Sequence, residues 1–218
     1  TSGVTVDLVA GTAIGDVSVG TDTLLGSFSS VRGSNFDDTL VGMDDRSQSF
    51  RPRGGDDVII GGASSSDEVR YSSASSGVTA NLATGTISSD GFGGVDTISG
   101  IERIMGSRHD DILTGDGNAN RFAPDIGVDV IDGGGGIDTV SYAARFSVEI
   151  GGVTVDLANG FAIDAEGYTD TLISIERAYG SQFDDLLIGD SGDNSLDGME
   201  GVDTFIGSAG NDPLRGSN

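Results

Sequence analysis

Gly106 to Ser141, cut every nine residues, reads GSRHDDILT, GDGNANRFA, PDIGVDVID and GGGGIDTVS. Each frame has Asp or Asn at its sixth place (Asp111, Asn120, Asp129, Asp138) and a large apolar residue at its eighth (Leu113, Phe122, Ile131, Val140). The glycines let six residues close a tight turn, the carboxylate or amide fastens it, and the eighth residue turns inward from a very short strand. Such a turn presents oxygens and little else. One turn has too few for a cation, but stacked turns supply carboxylates and carbonyls to the roughly six to eight oxygen positions that calcium takes. The pattern predicts a calcium-stapled, all-β solenoid.

The frame resembles the repeats-in-toxin (RTX, hemolysin-type) nonapeptide, glycine-glycine-x-glycine-x-aspartate-x-apolar-x. Gly133 to Ser141 (GGGGIDTVS) meets every fixed place. The resemblance implies a right-handed parallel β-roll with two nonads per coil and calcium between nonads n and n+2. It also implies a secreted or surface-located bacterial protein using type I secretion.

Composition points the same way. Of 35 acidic residues among 218, 29 are Asp and six Glu, a bias suited to short carboxylate arms inside turns rather than to helix faces. The 37 glycines suit turns, and 36% apolar residues are few for one globular core. A net charge of −24, with eleven Arg and no Lys, argues against a nucleic-acid partner and for cations. Without cysteine there is no disulfide framework, so stability outside the cell has to come from elsewhere, and bound calcium can provide it. No run of about eighteen apolar residues encodes a membrane span.

A larger repeat of about 74 residues contains the nonads. GVTVDL, GVTANL and GVTVDL begin at Gly3, Gly77 and Gly152, and Asp-Thr-Leu or Asp-Thr-Ile follows at Asp22, Asp96 and Asp170. Gly33, Gly106 and Gly180 then each open a run of nonads. Three tandem copies are expected: residues 1–68, incomplete at the start; 69–139; and 140–218, which includes the start of a further nonad. Their first halves alternate apolar and polar residues in short bursts with Gly or Asn at the breaks, and read as larger coils without metal turns. The Ile-Glu-Arg elements at Ile101 and Ile175 read as strands. Both ends look like cuts through a longer array.

Pairing nonad n with n+2 joins Asp38 to Asp57, Asp111 to Asp129 and Asp185 to Asp203, with carbonyls of Gly33, Gly106 and Gly180 as further ligands. A second, less charged column joins Asn120 to Asp138, beside Gly133 and Gly135, and Asn194 to Asp212. The first copy should bind calcium less well. It has one extra residue between Gly42 and Phe50 and another within Ser64 to Ser66, places Gln48 where the others have Asn, and carries Arg51 and Arg53 near Asp57. The column ending at Asp67 is therefore expected to lose register and remain empty.

An EF-hand at Asp193 to Gly198 fails because its twelfth place is Thr204 rather than Glu. His109, the only histidine, reads as a solvent-facing turn residue and leaves zinc and a Ser-His triad without support. Adjacent carboxylates such as Asp37-Asp38 or Asp184-Asp185 should face opposite ways, not flank a substrate bond. No cofactor loop exists, so an enzyme is not expected. The competing reading is an adhesin or accessory module that binds polysaccharide or a cell surface, with Tyr71, Tyr142, Tyr168, Tyr179 and nine Phe available for stacking.

Overall fold

The computed structural model describes residues 2–16, 20–143 and 151–216, leaving outside it Ser217 and Asn218 of the partial last nonad and residues 144–150 of the third copy. Strands of two to five residues form two sheets of fifteen and nine among these residues. Ile112–Thr114 pairs in parallel with Val130–Asp132, and Arg121–Ala123 with Thr139–Ser141. Nonad n therefore lies on nonad n+2, and consecutive nonads alternate between the sheets. This is an all-β parallel solenoid with two nonads per coil.

The eighth place drives the stacking. Leu113, Phe122, Ile131 and Val140 are each 0% exposed, whereas the seventh-place Ile112 is 49% exposed. In a three-residue strand only the central side chain points inward. The core is consequently a single file of Leu40, Phe50, Ile59, Val69, Leu113 and their equivalents between the sheets.

The first half of each copy differs from the expected larger coils. Thr154–Asp156, Phe161–Ile163 and Thr169–Ile173 form an antiparallel meander, and so do Thr79–Asn81 with Thr86–Ser89 and Asp96–Ser99. The same meander occurs at Thr5–Asp7, Thr12–Ile14 and Thr21–Thr23. The cause is a four-residue turn. Asp156 Oδ1 accepts the Asn159 N–H at 2.9 Å and Gly160 turns back with φ of 70°, so the chain reverses in its own sheet before it can reach the other. Each meander adds two strands to one sheet, which accounts for fifteen against nine. On the side without extra strands the connection Tyr71–Val78 fills the core with Tyr71, Ala74 and Val78.

The expected loss of register at Asp67 is also corrected. Ser49 pairs with Glu68 and Phe50 with Val69 in the ordinary parallel ladder, and the Gln48 N–H donates to Asp67 Oδ1 at 2.6 Å across 19 residues instead of 18. Turns can lengthen at the surface while strands stay locked by the buried eighth place, so the inserted residue is absorbed outside the ladder. The Ile-Glu-Arg elements, expected as strands, are so only at their arginines: Ile101-Glu102 and Ile175-Glu176 lie in the turns before Arg103–Met105 and Arg177–Tyr179.

The alternation sets a test. Phe122→Ala should lower stability by about 3–5 kcal/mol through the cavity it leaves. Ile112→Thr, one place outward from Leu113, should change it by no more than about 0.5 kcal/mol. Denaturant unfolding in calcium would measure both, and equal losses would contradict the single-file core.

Candidate metal centre

The sixth-place residues stand in two columns along the solenoid, one at the turns entering each sheet. In the first, the Asp111 N–H donates to Asp129 Oδ1 at 2.8 Å and the Asp129 N–H to Asp170 Oδ1 at 3.0 Å. Asp38, Asp57 and Asp96 repeat this at 2.7 and 3.0 Å, and Asp185 donates to Asp203 at 3.1 Å. In the second column Asn120 donates to Asp138 at 2.7 Å, Asp138 to Glu176 at 2.8 Å, Asp67 to Glu102 at 3.0 Å, and Asn194 to Asp212 at 2.9 Å. Each acid thus fastens one oxygen to the coil before it.

The other oxygen decides what the columns can do. Oδ2 of Asp57, Asp67, Asp129, Asp138 and Asp203 is buried and has no hydrogen-bond partner. A buried acceptor without a donor costs roughly 1–3 kcal/mol, and more when charged. Asp38, Asp111 and Asp185, which open the columns, are different: both oxygens already accept hydrogen bonds. Asp111 takes the N–H groups of Ser107 and Val78 and the Ser107 hydroxyl, each at 2.7 Å, and Asp185 is bound in the same way by Ser181 and Val153. The amide-bearing members hold their turns closed, with Asn120 Oδ1 accepting the Asp116 N–H at 2.8 Å and Asn194 Oδ1 the Asp190 N–H at 2.7 Å.

Carbonyls converge beside these carboxylates. A Cβ on Gly133 would meet the Ser174 carbonyl and, at 2.7 Å, Asp138 Oδ2. One on Gly106 would strike Asp111 Oδ2 and the Pro124 carbonyl; on Gly33, Asp38 Oδ2 and the Pro52 carbonyl; on Gly180, Asp185 Oδ2. Glycine is needed because oxygens occupy the space of its missing side chain. Gly135 stands apart at the turn apex, where its N–H donates to the Asp116 carbonyl at 2.9 Å. Among the described residues no three acidic or histidine side chains group closely enough to hold a metal by themselves, so carbonyls must complete any shell. One to two carboxylates with several carbonyls is a hard, oxygen-only donor set of the kind calcium takes.

These observations agree with the family comparison. The model of the RTX calcium-binding nonapeptide repeat matches residues 96–128, 125–140 and 179–212. The chain carries RTX calcium-binding repeats. No match to a curated protein was found. RTX nonapeptides bind calcium, and the unpartnered carboxylate oxygens of this β-roll fit that ion. The nonads of the first copy, with their extra residues, lie outside the matched RTX segments.

Four column members were not among the residues expected from the sequence: Asp96, Asp170, Glu102 and Glu176. Asp96 was legible, since Gly91 to Ser99 (GFGGVDTIS) fits the RTX frame at every fixed place but the second, Phe92, with Asp96 sixth and Ile98 eighth. Asp170 was harder to see because Tyr168 occupies the fourth, glycine place. Glu102 and Glu176 sit in three-residue turns, Gly100–Glu102 and Ser174–Glu176, half the length of Gly133–Asp138. Their longer side chains reach the N–H that Asp reaches from a six-residue turn. The Tyr71 and Tyr142 hydroxyls donate to Asp96 and Asp170 at 2.6 and 2.7 Å and engage the oxygens left over where each first column ends. Asp90, also unexpected, accepts the N–H groups of Phe92, Gly93 and Gly94 with Oδ1 at 2.7–2.8 Å, while its buried Oδ2 has no partner.

Of the adjacent carboxylates, Asp37 and Asp184 are exposed while Asp38 and Asp185 are buried, so the members of each pair face opposite ways. His109 is exposed.

Burial raises the carboxyl pKa values along the columns. Asp129 is pushed up to about 9 by burial and then by the Asp170 charge, and Asp57 to about 7 by burial. Asp96 and Asp138 rise to about 6, also through burial, while Asp67, Asp111, Asp185 and Glu102 move in the same direction. A carboxyl whose folded pKa exceeds its unfolded value, about 4, stabilises the fold when protonated and ceases to as pH rises through the folded value. In calcium-stripped buffer the melting temperature should therefore be highest near pH 4–5. It should fall as pH passes about 6, 7 and 9. Asp129→Asn should remove the fall between about pH 7 and 9. Metal-free stability that rises with pH across this range would contradict the arrangement.

Proposed function

We propose that this chain is a calcium-dependent structural segment of a secreted or surface bacterial protein, disordered inside the cell and folded outside it. Its ligands are the unpartnered buried oxygens of Asp57, Asp129 and Asp203 in the first column and of Asp67 and Asp138 in the second, with the less buried Asp212 in the matching place. Asp38, Asp111 and Asp185 position the first turn of each column, and carbonyls at Gly33, Gly106, Gly133, Gly135 and Gly180 contribute to the shells. The reading rests on one observation: a file of buried carboxylate oxygens without donors, stacked at coil spacing. Asn120 and Asn194 lower the charge of the second column, which should bind more weakly. Gln48 occupies the same place in the first copy, and the preserved register at Asp67 supports a site there too. The three copies, 1–68, 69–139 and 140–218, are the repeating units of the array.

The mechanism is linkage. Coils lie about 4.8 Å apart, inside the roughly 8 Å Debye length of physiological salt, so the stacked carboxylates repel one another. Calcium supplies positive charge and replaces lost hydration. At a dissociation constant of about 0.1 mM, about 10 mM calcium adds roughly 2.7 kcal/mol per site. A few sites match the stability of a typical domain, so the calcium difference across the cell envelope can switch folding. Secretion in the type I manner suits a chain that stays unfolded until it emerges. The chain catalyses nothing by itself, as the family's structural role supports.

Circular dichroism during calcium titration tests this. A strand spectrum should develop cooperatively with calcium and be lost on chelation. Magnesium should substitute poorly because it demands a smaller, near-octahedral shell. Asp129→Ala together with Asp203→Ala should shift the midpoint to higher calcium, whereas Asp110→Ala should not. A spectrum unchanged by chelator at neutral pH and low salt would reject the proposal.

A further inference from the structure

The outer faces of the two sheets differ in charge. Every strand arginine among the described residues lies on the nine-stranded sheet: Arg32, Arg51, Arg70, Arg103, Arg121, Arg177 and Arg215, seven of the chain's eleven. These strands hold only two acids on the same face, Glu68 and Asp197, and both are engaged, Glu68 with Arg70 at 3.6 Å and Asp197 with Arg215 at 3.7 Å. Arg103, Arg121 and Arg177 form no ion pair among the described residues, although the chain carries a net charge of −24.

The parallel ladder puts these three in one row. Arg103 is directly opposite Arg121, Arg121 opposite Thr139, and Thr139 opposite Arg177. Strands are about 4.8 Å apart, and like charges directly opposite each other destabilise a sheet. Arg121 lies 4.8 Å from the centroid of the Tyr179 ring and donates to Ser141 Oγ at 2.9 Å, which holds its guanidinium over the row. Burial, and then the Arg103 charge, lower its pKa. A shallow groove of about 240 Å³ runs beside Arg103, Arg121, Thr139, Arg177 and Tyr179. Glu102 also lines it, with Oε2 accepting the Asp67 N–H at 3.0 Å.

We propose that this row is a binding site for an acidic polysaccharide, a chain of uronate-type sugars whose carboxylates pair with Arg103, Arg121 and Arg177. Guanidinium groups pair bidentately with carboxylates, and a ligand charge here offsets the repulsion within the row. Thr139, between two of the cations, is only 8% exposed, so a ligand on this row meets the guanidinium groups rather than its hydroxyl. The width of the face selects a slender ligand. A three-residue strand spans about 10 Å, and exposed acids such as Asp110 and Asp184 stand in the turns beyond it. A broad acidic protein would meet those turns, whereas a single polysaccharide chain can lie along the row between them. Tyr71 and Tyr142 are buried, so stacking on them, considered from the sequence, is unavailable.

The test is calorimetric titration of the calcium-loaded chain with oligogalacturonate too short to gel with calcium, at low and physiological salt. Binding should weaken with salt, and Arg103→Ala with Arg177→Ala should reduce affinity about tenfold or more. Arg121→Lys should retain part of it, and Arg108→Ala, in a turn, should change nothing. Calcium uptake and the strand spectrum should stay unaltered in all of these, which separates loss of this site from loss of the fold. Equal binding of a sulfated oligosaccharide would support the site and widen its ligand to oxyanionic sugars. No binding, binding indifferent to the three arginines, or tighter binding of polyglutamate or a single-stranded oligonucleotide would overturn the proposal.

Discussion

Everything in this structure depends on one contact repeated along two columns: a buried carboxylate that accepts the backbone N–H of the matching residue one coil earlier. It fixes the register of parallel strands only three residues long, too short to define it alone. It also leaves the second oxygen of the same group inside the molecule with nothing to bind, as at Asp129 and Asp138. The hydrogen bond and the proposed calcium ligand are two halves of one side chain. A fold assembled this way leaves buried acceptors that the polypeptide itself does not satisfy.

The solenoid tolerates variation wherever that contact survives. Asn120 and Gln48 keep the turn closed without the charge, and Glu102 and Glu176 make the link from turns half as long. Additional residues in the first copy lie in the turns and leave the ladder intact. Even the antiparallel meanders return to it, because their last strands deliver Asp96 and Asp170 to the first column before the tyrosine hydroxyls close it. Interruption of the roll and continuity of its acids are therefore compatible.

The outer faces are freer, since nothing inside depends on them, and there the two sheets diverge. One carries Thr, Val and Ile at its outward places, and the other carries the arginines. In a chain of net charge −24 that segregation gives one face a local positive character that the net charge does not reveal.

The nine-residue period determined the strands, the inward eighth place and the sixth-place acids, since a period is a property of the chain itself. From the four frames of Gly106 to Ser141 one can infer a solenoid and an oxygen-liganded ion. The sequence could not tell a meander from a coil at Val153 to Leu172, because alternation is the same whichever neighbour a strand pairs with and a four-residue turn reveals its direction only in space. Nor could it show that Asp111 is saturated by Ser107 and Val78 while Asp129 is not: Val78 is 33 residues from Asp111 and meets it only through stacking. The row of Arg103, Arg121 and Arg177 was likewise invisible, its members being 18 and 56 residues apart. Tertiary structure decided these matters because pairing between coils, and not order along the chain, brings the groups together.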